Sequence, residues 1–248
     1  MPQATAIYTK KAHVACIILN RAEANNVINQ QLGQELEDIC RLIKQDDDVY
    51  VVTITGAGDK AFCSGSELEP KEHSLSPAAA IAAIDRPIIA AINGDALGEG
   101  LELALSCDIR LASDNARFGL PQVSQGLIPV DGGTQRLPRV VGKGKAMELL
   151  LTAETISAGE ALEIGLVNKV VPADELATEA ETLAKNIASK GPIALRYIKE
   201  AVNKGLDLTL EQGLRLEADL YFILHTTADR TEGIKSFLEK RPPRFKGQ

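Results

Sequence analysis

The sequence predicts an α/β fold with largely parallel strand pairing, followed by a helical C-terminal region. Three observations lead there. Short runs of branched residues alternate with helix-period segments through the first half. The helical period takes over from about residue 143. No Gly/Ser-rich linker and no internal repeat separates the two parts. Residues 1–190 are expected to form the α/β core that carries the functional site. Residues 191–248 are expected to pack as helices on that core or on a neighbouring copy.

Residues 14–19 are an apolar run rich in branched side chains and read as a strand. Residues 28–44 carry Leu32, Leu36, Ile39 and Ile43 at helical steps, and Asp46, Asp47 and Asp48 end that helix. A second buried-type strand covers 49–55 and breaks at Gly56-Ala57-Gly58. Residues 59–77 read as irregular, 78–84 as a short helix before Pro87, and 88–92 as a third strand. Gly94, Gly98 and Gly100 precede a helix over 101–105, and 109–112 is a fourth strand. Helices are expected at 143–151, 157–164, 174–189, 192–204, 209–225 and 231–240. Ser157 and Glu160 have capping-box spacing at the start of the second of these.

Composition narrows the function. The chain has 248 residues, 45% hydrophobic and 25% charged, with 20 Gly and 11 Pro, values of a globular chain. A formal net charge of −7 disfavours a nucleic-acid or anionic-membrane surface but leaves room for an anionic small ligand. Cys16, Cys40, Cys63 and Cys107 form no Cys-x-x-Cys pair, which argues against structural zinc; Cys16 and Cys40 read as buried thiols. No basic-then-apolar leader and no long uncharged apolar window is visible, so a cytoplasmic protein without a membrane span is expected.

Three chemistries are set aside. The stretch 51–61 matches a strand followed by Gly-x-Gly-x-x-Ala, but a loop follows it where a dinucleotide site needs a helix. Ser64 and Ser66 flank Gly65 without the Gly-x-Ser-x-Gly elbow, and His73 near Ser66 reads as a solvated loop residue. His13 and His225 read as surface or helix-packing residues, and no His/Cys/carboxylate cluster has metal-ligand spacing.

Two glycine-bearing loops remain, 62–68 and 93–102, each after an expected strand. Side by side, they could aim two backbone N–H donors at one oxygen, the geometry of an oxyanion hole for an acyl carbonyl. Glu102, one helical turn on, could project toward the same point. The alternative is that these glycines only make tight strand-to-helix turns.

These residues resemble the enoyl-CoA hydratase/isomerase, or crotonase, superfamily. The likeness spans about residues 5–245. Residues 62–68 resemble its F-x-A-G-A-D-[IL] loop, and 88–104 its long stretch ending G-G-G-x-E-L-A. Residues 107–112 resemble C-D-x-R-x-A, 126–137 resemble G-x-x-P-x-x-G-G-T-x-R-L, and 161–171 resemble A-x-x-x-G-L-V-x-x-V-V. The resemblance implies a spiral of ββα units, a homotrimer or dimer of trimers, and a coenzyme A thioester substrate with no separate cofactor or metal. It implies oxyanion donors at the backbone of Ser66 and Glu99. It also implies coenzyme A contacts at Ala24, Asn25, Ser64, Glu67 and Leu68, and at Phe237 and Lys246 near the C-terminus. Glu99 stands where the family usually has Gly.

The acid–base residues depart from the family pattern. Glu102 matches one of the two glutamates with which relatives add water across a 2,3-double bond. Gln122 stands where the second is usual, and an amide orients water without exchanging a proton. Three readings follow. Glu102 alone handles the proton in a hydratase or dehydratase, with Gln122 holding the water; or Glu102 shifts a double bond as an isomerase; or Asp131 joins as a second carboxylate. For Asp131 the alternative is a turn residue before Gly132-Gly133.

An acyl-CoA lyase of the hydratase type is the leading expectation, with the isomerase or a non-catalytic acyl-CoA-binding homologue as alternatives. The short segment between Leu68 and Arg86 suggests a small or mobile acyl-pocket wall. Leu214, Leu216, Leu220, Tyr221, Phe222, Ile223 and Leu224 form an apolar patch that suits either self-association or a core-facing helix.

Overall fold

The computed structural model describes residues 4–67 and 75–248. Among them the strands build two sheets. The larger runs in the order β1 (Ala6–Lys11), β2 (Val14–Leu19), β3 (Val51–Gly56), β5 (Ile88–Ile92), β7 (Ile109–Ser113) and β10 (Lys169–Val171). In this sheet β1 and β2 pair antiparallel and every later neighbour is parallel. The smaller sheet holds β4 (Ala61–Cys63), β6 (Asp95–Leu97), β8 (Arg117–Gly119) and β9 (Ile156–Ser157).

The chain thus repeats one step. A long strand in the first sheet turns into a three-residue strand in the second, and a helix follows: β5, β6 and α3 (Glu99–Leu105) are the clearest instance. This is the expected spiral of ββα units. Gly56-Ala57-Gly58 is one of the turns between sheets and leads into β4, which is why its dinucleotide-like spacing carries no such site. β4 lies inside the segment expected to be irregular, and β6 and β8 are equally short.

Burial explains the longer elements. Every residue of β5 is buried, as expected for a central parallel strand. β2 alternates, with Ala15, Ile17 and Leu19 inside; Cys16 lies on the other face and is half-buried, whereas Cys40 is buried. Helix α1 (Gln30–Gln45) buries Leu32, Leu36, Ile39, Cys40 and Ile43. It starts two residues later than its hydrophobic period suggests because the Asn29 side chain accepts the Leu32 N–H at 2.8 Å. α2 (Pro77–Ala82) packs on α1, and α3 packs on α2 and on α4 (Gly133–Val141).

The second half follows the expected helices: α5 (Lys143–Thr152), α6 (Ala158–Glu163), α7 (Leu176–Ala188), α8 (Pro192–Gly205), α9 (Leu210–Leu224) and α10 (Ala228–Leu238). Ser157 and Glu160 close the expected capping box on α6. α10 begins three residues early, where the Thr227 hydroxyl accepts the Arg230 N–H. α9 packs on α8 and buries only Leu220 of its side chains. Leu214, Tyr221, Phe222 and Ile223 lie exposed, so the apolar patch is not a core-facing one within a single chain. Asp229 ties the C-terminal tail down by accepting the N–H groups of Lys246 and Gly247 at 2.7 and 2.8 Å.

One backbone contact fixes the two sheets' loops together. A Cβ added at Gly100 would lie 1.9 Å from the Cys63 carbonyl oxygen. Residue 100 therefore has to be glycine for α3 to rest on the end of β4. Gly100→Ala should destabilise the fold by about 2 kcal/mol or more, in the range of core overpacking. A urea titration reads this directly, and an unchanged midpoint would show that the contact yields without strain.

Candidate active site

The ends of β4 and β6 bring the two glycine loops together. After β4, Ser66 forms an isolated parallel bridge with Ile28. Its bonds run from the Ile28 N–H to the Gly65 carbonyl and from the Glu67 N–H to the Ile28 carbonyl, both 2.9 Å. In such a bridge the central residue's own amide faces away from the partner, so the Ser66 N–H is turned away from Ile28. After β6, Gly98 takes φ 54° and ψ −128° and opens α3. Its carbonyl accepts Leu101 and Glu102 N–H at 3.0 and 3.1 Å, so Glu99, as the first helical residue, directs its N–H out of the helix end. A Cβ on Gly98 would lie 3.6 Å from the Gly65 Cα. The two loops are in van der Waals contact at Gly65 and Gly98, the residues that precede Ser66 and Glu99.

Glu102 sits one turn into α3 and is fully buried. Its Oε1 accepts the N–H groups of Asp131 and Gly133 at 2.8 and 2.7 Å. Its Oε2 faces Gln122, whose Nε2 lies 3.4 Å away, a long hydrogen bond. Burial pushes the Glu102 carboxyl up to about 7 against the pull of the two amides, and the charges of Glu99 and Asp131 add to the rise.

Gln122 lies in a short 3-10 helix (Pro121–Gln125) and is 8% exposed. Its Oε1 is buried and accepts no hydrogen bond among the described residues. Asp131 turns its carboxylate away from Glu102. One oxygen accepts the Ala78 N–H at 2.7 Å, and the other accepts the Ser76 hydroxyl, both at the start of α2. Only the backbone N–H of Asp131 reaches Glu102. The side chain is thus neither an idle turn residue nor a partner of the Glu102 carboxyl; it anchors the loop that clamps it.

Of the remaining expected contacts, Ala24 and Asn25 end a 3-10 helix (Ala22–Ala24) next to the first loop, with the Asn25 carbonyl accepting the Ser64 N–H at 3.1 Å. Glu67 pairs with Arg21 at 2.8 Å. Leu68 and His73 lie outside the described residues. Phe237 is exposed on α10, and Lys246 lies in the C-terminal tail, where its N–H is held by Asp229. The tail and α10 pack against Gly191, Pro192 and Tyr50, at the start of β3, whereas Gly56 at its other end touches Asn26 and Ala61.

Sequence reading missed Asn26. It is fully buried, donates to the carbonyls of Ala57 and Ala61 at 3.0 and 2.8 Å, and accepts the Arg21 N–H. It ties the Ala24–Asn25 turn to the turn before β4. A polar residue pinned between an expected strand and an expected helix was the available signal. No histidine among the described residues forms a dyad with Ser66: His13 stacks on Tyr50 with ring centroids 4.0 Å apart, and His225 lies beside Tyr221 and Phe222. Among the described residues no group of three or more His, Cys, Asp or Glu is placed to hold a metal ion.

Two glycine loops in contact beside a buried carboxyl whose one oxygen is held by two amides form the candidate site. Comparison with known proteins agrees: the sequence profile of enoyl-CoA hydratase/isomerase matches residues 9–248. The chain belongs to the enoyl-CoA hydratase/isomerase family. Similar proteins include the crotonyl-CoA hydratase of Syntrophomonas wolfei, 41% identical over 96% of each chain. The (E)-benzylidenesuccinyl-CoA hydratase of Thauera aromatica is 42% identical over 95% of this chain and 96% of its own. The crystal structure of an enoyl-CoA hydratase from Bacillus anthracis superposes with a TM-score of 0.93 at 41% identity, covering 98% of this chain and 100% of that one.

Two outcomes follow for this family member. Between the ordinary carboxyl value of 4.5 and about 7, the unfolded chain releases the Glu102 proton while the folded chain keeps it. Stability therefore falls as pH rises through that window and levels off above it. Glu102→Gln removes this loss, so its unfolding free energy relative to wild type should improve by about 3 kcal/mol between pH 4.5 and pH 8. Urea titrations at the two pH values measure it, and a pH-independent difference would count against a raised carboxyl. Asp131→Ala removes the cap on α2, worth about 1 kcal/mol, and frees the loop that holds Glu102 Oε1. Turnover should fall further than the melting temperature suggests; equal, small losses in both would make Asp131 a purely structural cap.

Proposed function

We propose that the protein hydrates 2-enoyl-CoA thioesters and runs the reverse dehydration. The observation that carries this reading is Glu102. It is a buried carboxyl with one oxygen clamped by two amides and the other turned to Gln122 beside the two-loop amide pair. The thioester carbonyl would take the Ser66 and Glu99 N–H groups, which stabilise the negative charge that its oxygen gains as C3 is attacked. Each such donor is worth about 3 kcal/mol of barrier in comparable sites. Glu102 Oε2 would take the proton of the attacking water, and the Gln122 Oε1 would accept that water's second hydrogen. Of the two positions that carry glutamates in two-carboxylate relatives, only Glu102 is ionisable here.

An isomerase is the second reading, favoured by Gln122 itself. A double-bond shift needs one base once the enolate is stabilised, and Gln122 brings no second carboxylate. Coenzyme A would arrive with the substrate, so the chemistry closes without a resident cofactor. The exposed apolar residues of α9 support a homotrimer or dimer of trimers. Among the described residues no helix is long and apolar enough to cross a membrane. We infer a cytoplasmic setting from the four unpaired thiols.

Incubation with 2-enoyl-CoA and 3-enoyl-CoA in H₂¹⁸O, followed by mass spectrometry, separates the readings. Hydration incorporates label, and Glu102→Gln should lower its rate at least about 100-fold. The rate should rise with pH through about 7, as the Glu102 carboxyl ionises. Double-bond migration without label would make the protein an isomerase. Tight thioester binding with no turnover would make it an acyl-CoA-binding homologue.

A further inference from the structure

We propose that Arg136 is a positioning residue for Glu102: its guanidinium holds the peptide that joins the two amides clamping Glu102 Oε1, so that both stay aimed at that oxygen. Its bearing on turnover rests on the hydratase reading; its bearing on the Glu102 carboxyl does not. The clamp spans three consecutive peptides. The first, leading into Asp131, and the third, between Gly132 and Gly133, each give their N–H to Glu102 Oε1. The Gly132 carbonyl of the third accepts the Gln135 and Arg136 N–H groups at 3.0 and 2.7 Å, so the backbone of α4 fixes that one. The middle peptide, between Asp131 and Gly132, gives nothing to Glu102. Its carbonyl accepts the Arg136 Nη1 at 2.6 Å, and no backbone donor reaches it among the described residues.

Gly132 is what makes the grip necessary. It takes φ 103°, and Gly133 follows it, so little in the backbone resists rotation of the middle peptide. Such a rotation would swing the flanking amides off their shared oxygen. The Asp131 carboxylate, held at the start of α2, fixes only the near side of the turn. Arg136 fixes the far side. It stands four residues after Gly132, and helical side chains lean toward the N-terminus, which carries the guanidinium back over the turn. A Cβ on Gly132 would collide with Nη1 and lie 2.9 Å from Cζ, so the guanidinium rests on the glycine itself. The position is an unfavourable one for a cation. Arg136 ends the first turn of α4, where the helix dipole opposes positive charge. It forms no ion pair among the described residues, whereas Arg139, three residues on, pairs with Asp207.

The two amides act on Glu102 in one direction. Both draw its carboxyl down against the burial that pushes it up to about 7. Loosening them therefore raises it further and leaves less carboxylate to take a proton from water. The charged groups around Glu102 are few. Glu99, on its own helix, and Asp131 bear on it as negative charges. Among the elements that pack on α3, α2 brings no charged group and β4 brings only the buried Cys63 thiol. β6 brings Asp95, paired with Arg117, and α4 brings Arg136 and Arg139. Of these, Arg136 is the one whose side chain bonds to the clamping turn.

The test uses the purified full chain as wild type, Arg136→Met, Arg136→Lys and Arg139→Met, each with and without Glu102→Gln. Melting curves establish which variants are folded. Urea titrations across the pH range read the clamp without turnover. In wild type the stability gained through Glu102→Gln levels off above about 7. In Arg136→Met it should keep growing for about half a pH unit or more beyond that, and Arg139→Met should match wild type. With crotonyl-CoA, the limb of kcat that rises with pH should move up by the same amount in Arg136→Met, with KM within about threefold, so that the loss at neutral pH shrinks in alkali. Arg136→Lys keeps the charge and a donor on a shorter reach. It should lie between the two, and it decides the matter if Arg136→Met does not fold. A limb and a stability window left in place in folded Arg136 variants would make the residue a purely structural part of α4 and overturn the proposal. An equal shift in Arg139→Met would assign the effect to charge on the helix rather than to the grip, and would overturn it too. Wild type that hydrates no 2-enoyl thioester would overturn the hydratase reading alone, since the urea titrations still decide whether Arg136 holds the clamp.

Discussion

The arrangement of this site depends on how a carboxyl is kept buried. Glu102 has no solvent to stabilise its charge, and two backbone amides, from Asp131 and Gly133, do so at one oxygen only. That asymmetry leaves Oε2 to Gln122, whose Nε2 lies 3.4 Å away. The clamp imposes demands elsewhere. A Cβ on Gly133 would lie 2.8 Å from the Pro129 side chain and 3.1 Å from Glu102 Oε1, so the amide can approach only on a glycine. The loop must also be held, and the Asp131 carboxylate does this by reaching across to the start of α2. Three elements distant in sequence are therefore tied to one oxygen atom.

What was legible in the sequence follows physical size. Long buried strands such as β5, with every residue inside, announce themselves as unbroken apolar runs, and α1 shows its period over four turns. Three-residue strands such as β4, β6 and β8 are too short to show a period, and they carry the repeat that makes the fold a spiral. β1 ends in exposed residues at the sheet edge and lacks the apolar signature. α4 begins at Gly133 and contains Pro138, two residues that argue against a helix when read locally. In the site, Glu102 and the two loops were legible as a motif. The clamp was not, because its donors are backbone atoms at Asp131 and Gly133 and no side-chain pattern encodes them. The orientation of Asp131 was hidden for the same reason: its partners lie more than fifty residues away.

The C-terminal helices show a different limit. Their boundaries could be read closely because they are long and capped, as at Thr209, where the hydroxyl and Gln212 complete a capping box. Their placement could not. The tail is held by Asp229 and comes to lie beside Tyr50 and Pro192. Helix period says which face of α9 is apolar and nothing about which surface covers it, and within one protomer little does.

The chemistry of the site divides by the kind of atom that performs it. A backbone amide donates whatever its side chain, so serine at 66 and glutamate at 99 each keep an N–H where the two loops meet. Side-chain identity at those positions is released for other uses. The proton positions have no such freedom, since a carboxyl and a carboxamide of equal shape differ in whether they can carry a proton at all. Gln122 has the shape of a glutamate without its proton, and its Nε2 lies 3.4 Å from Glu102 Oε2, so the amide can hold a group beside the carboxyl and cannot trade a proton with it.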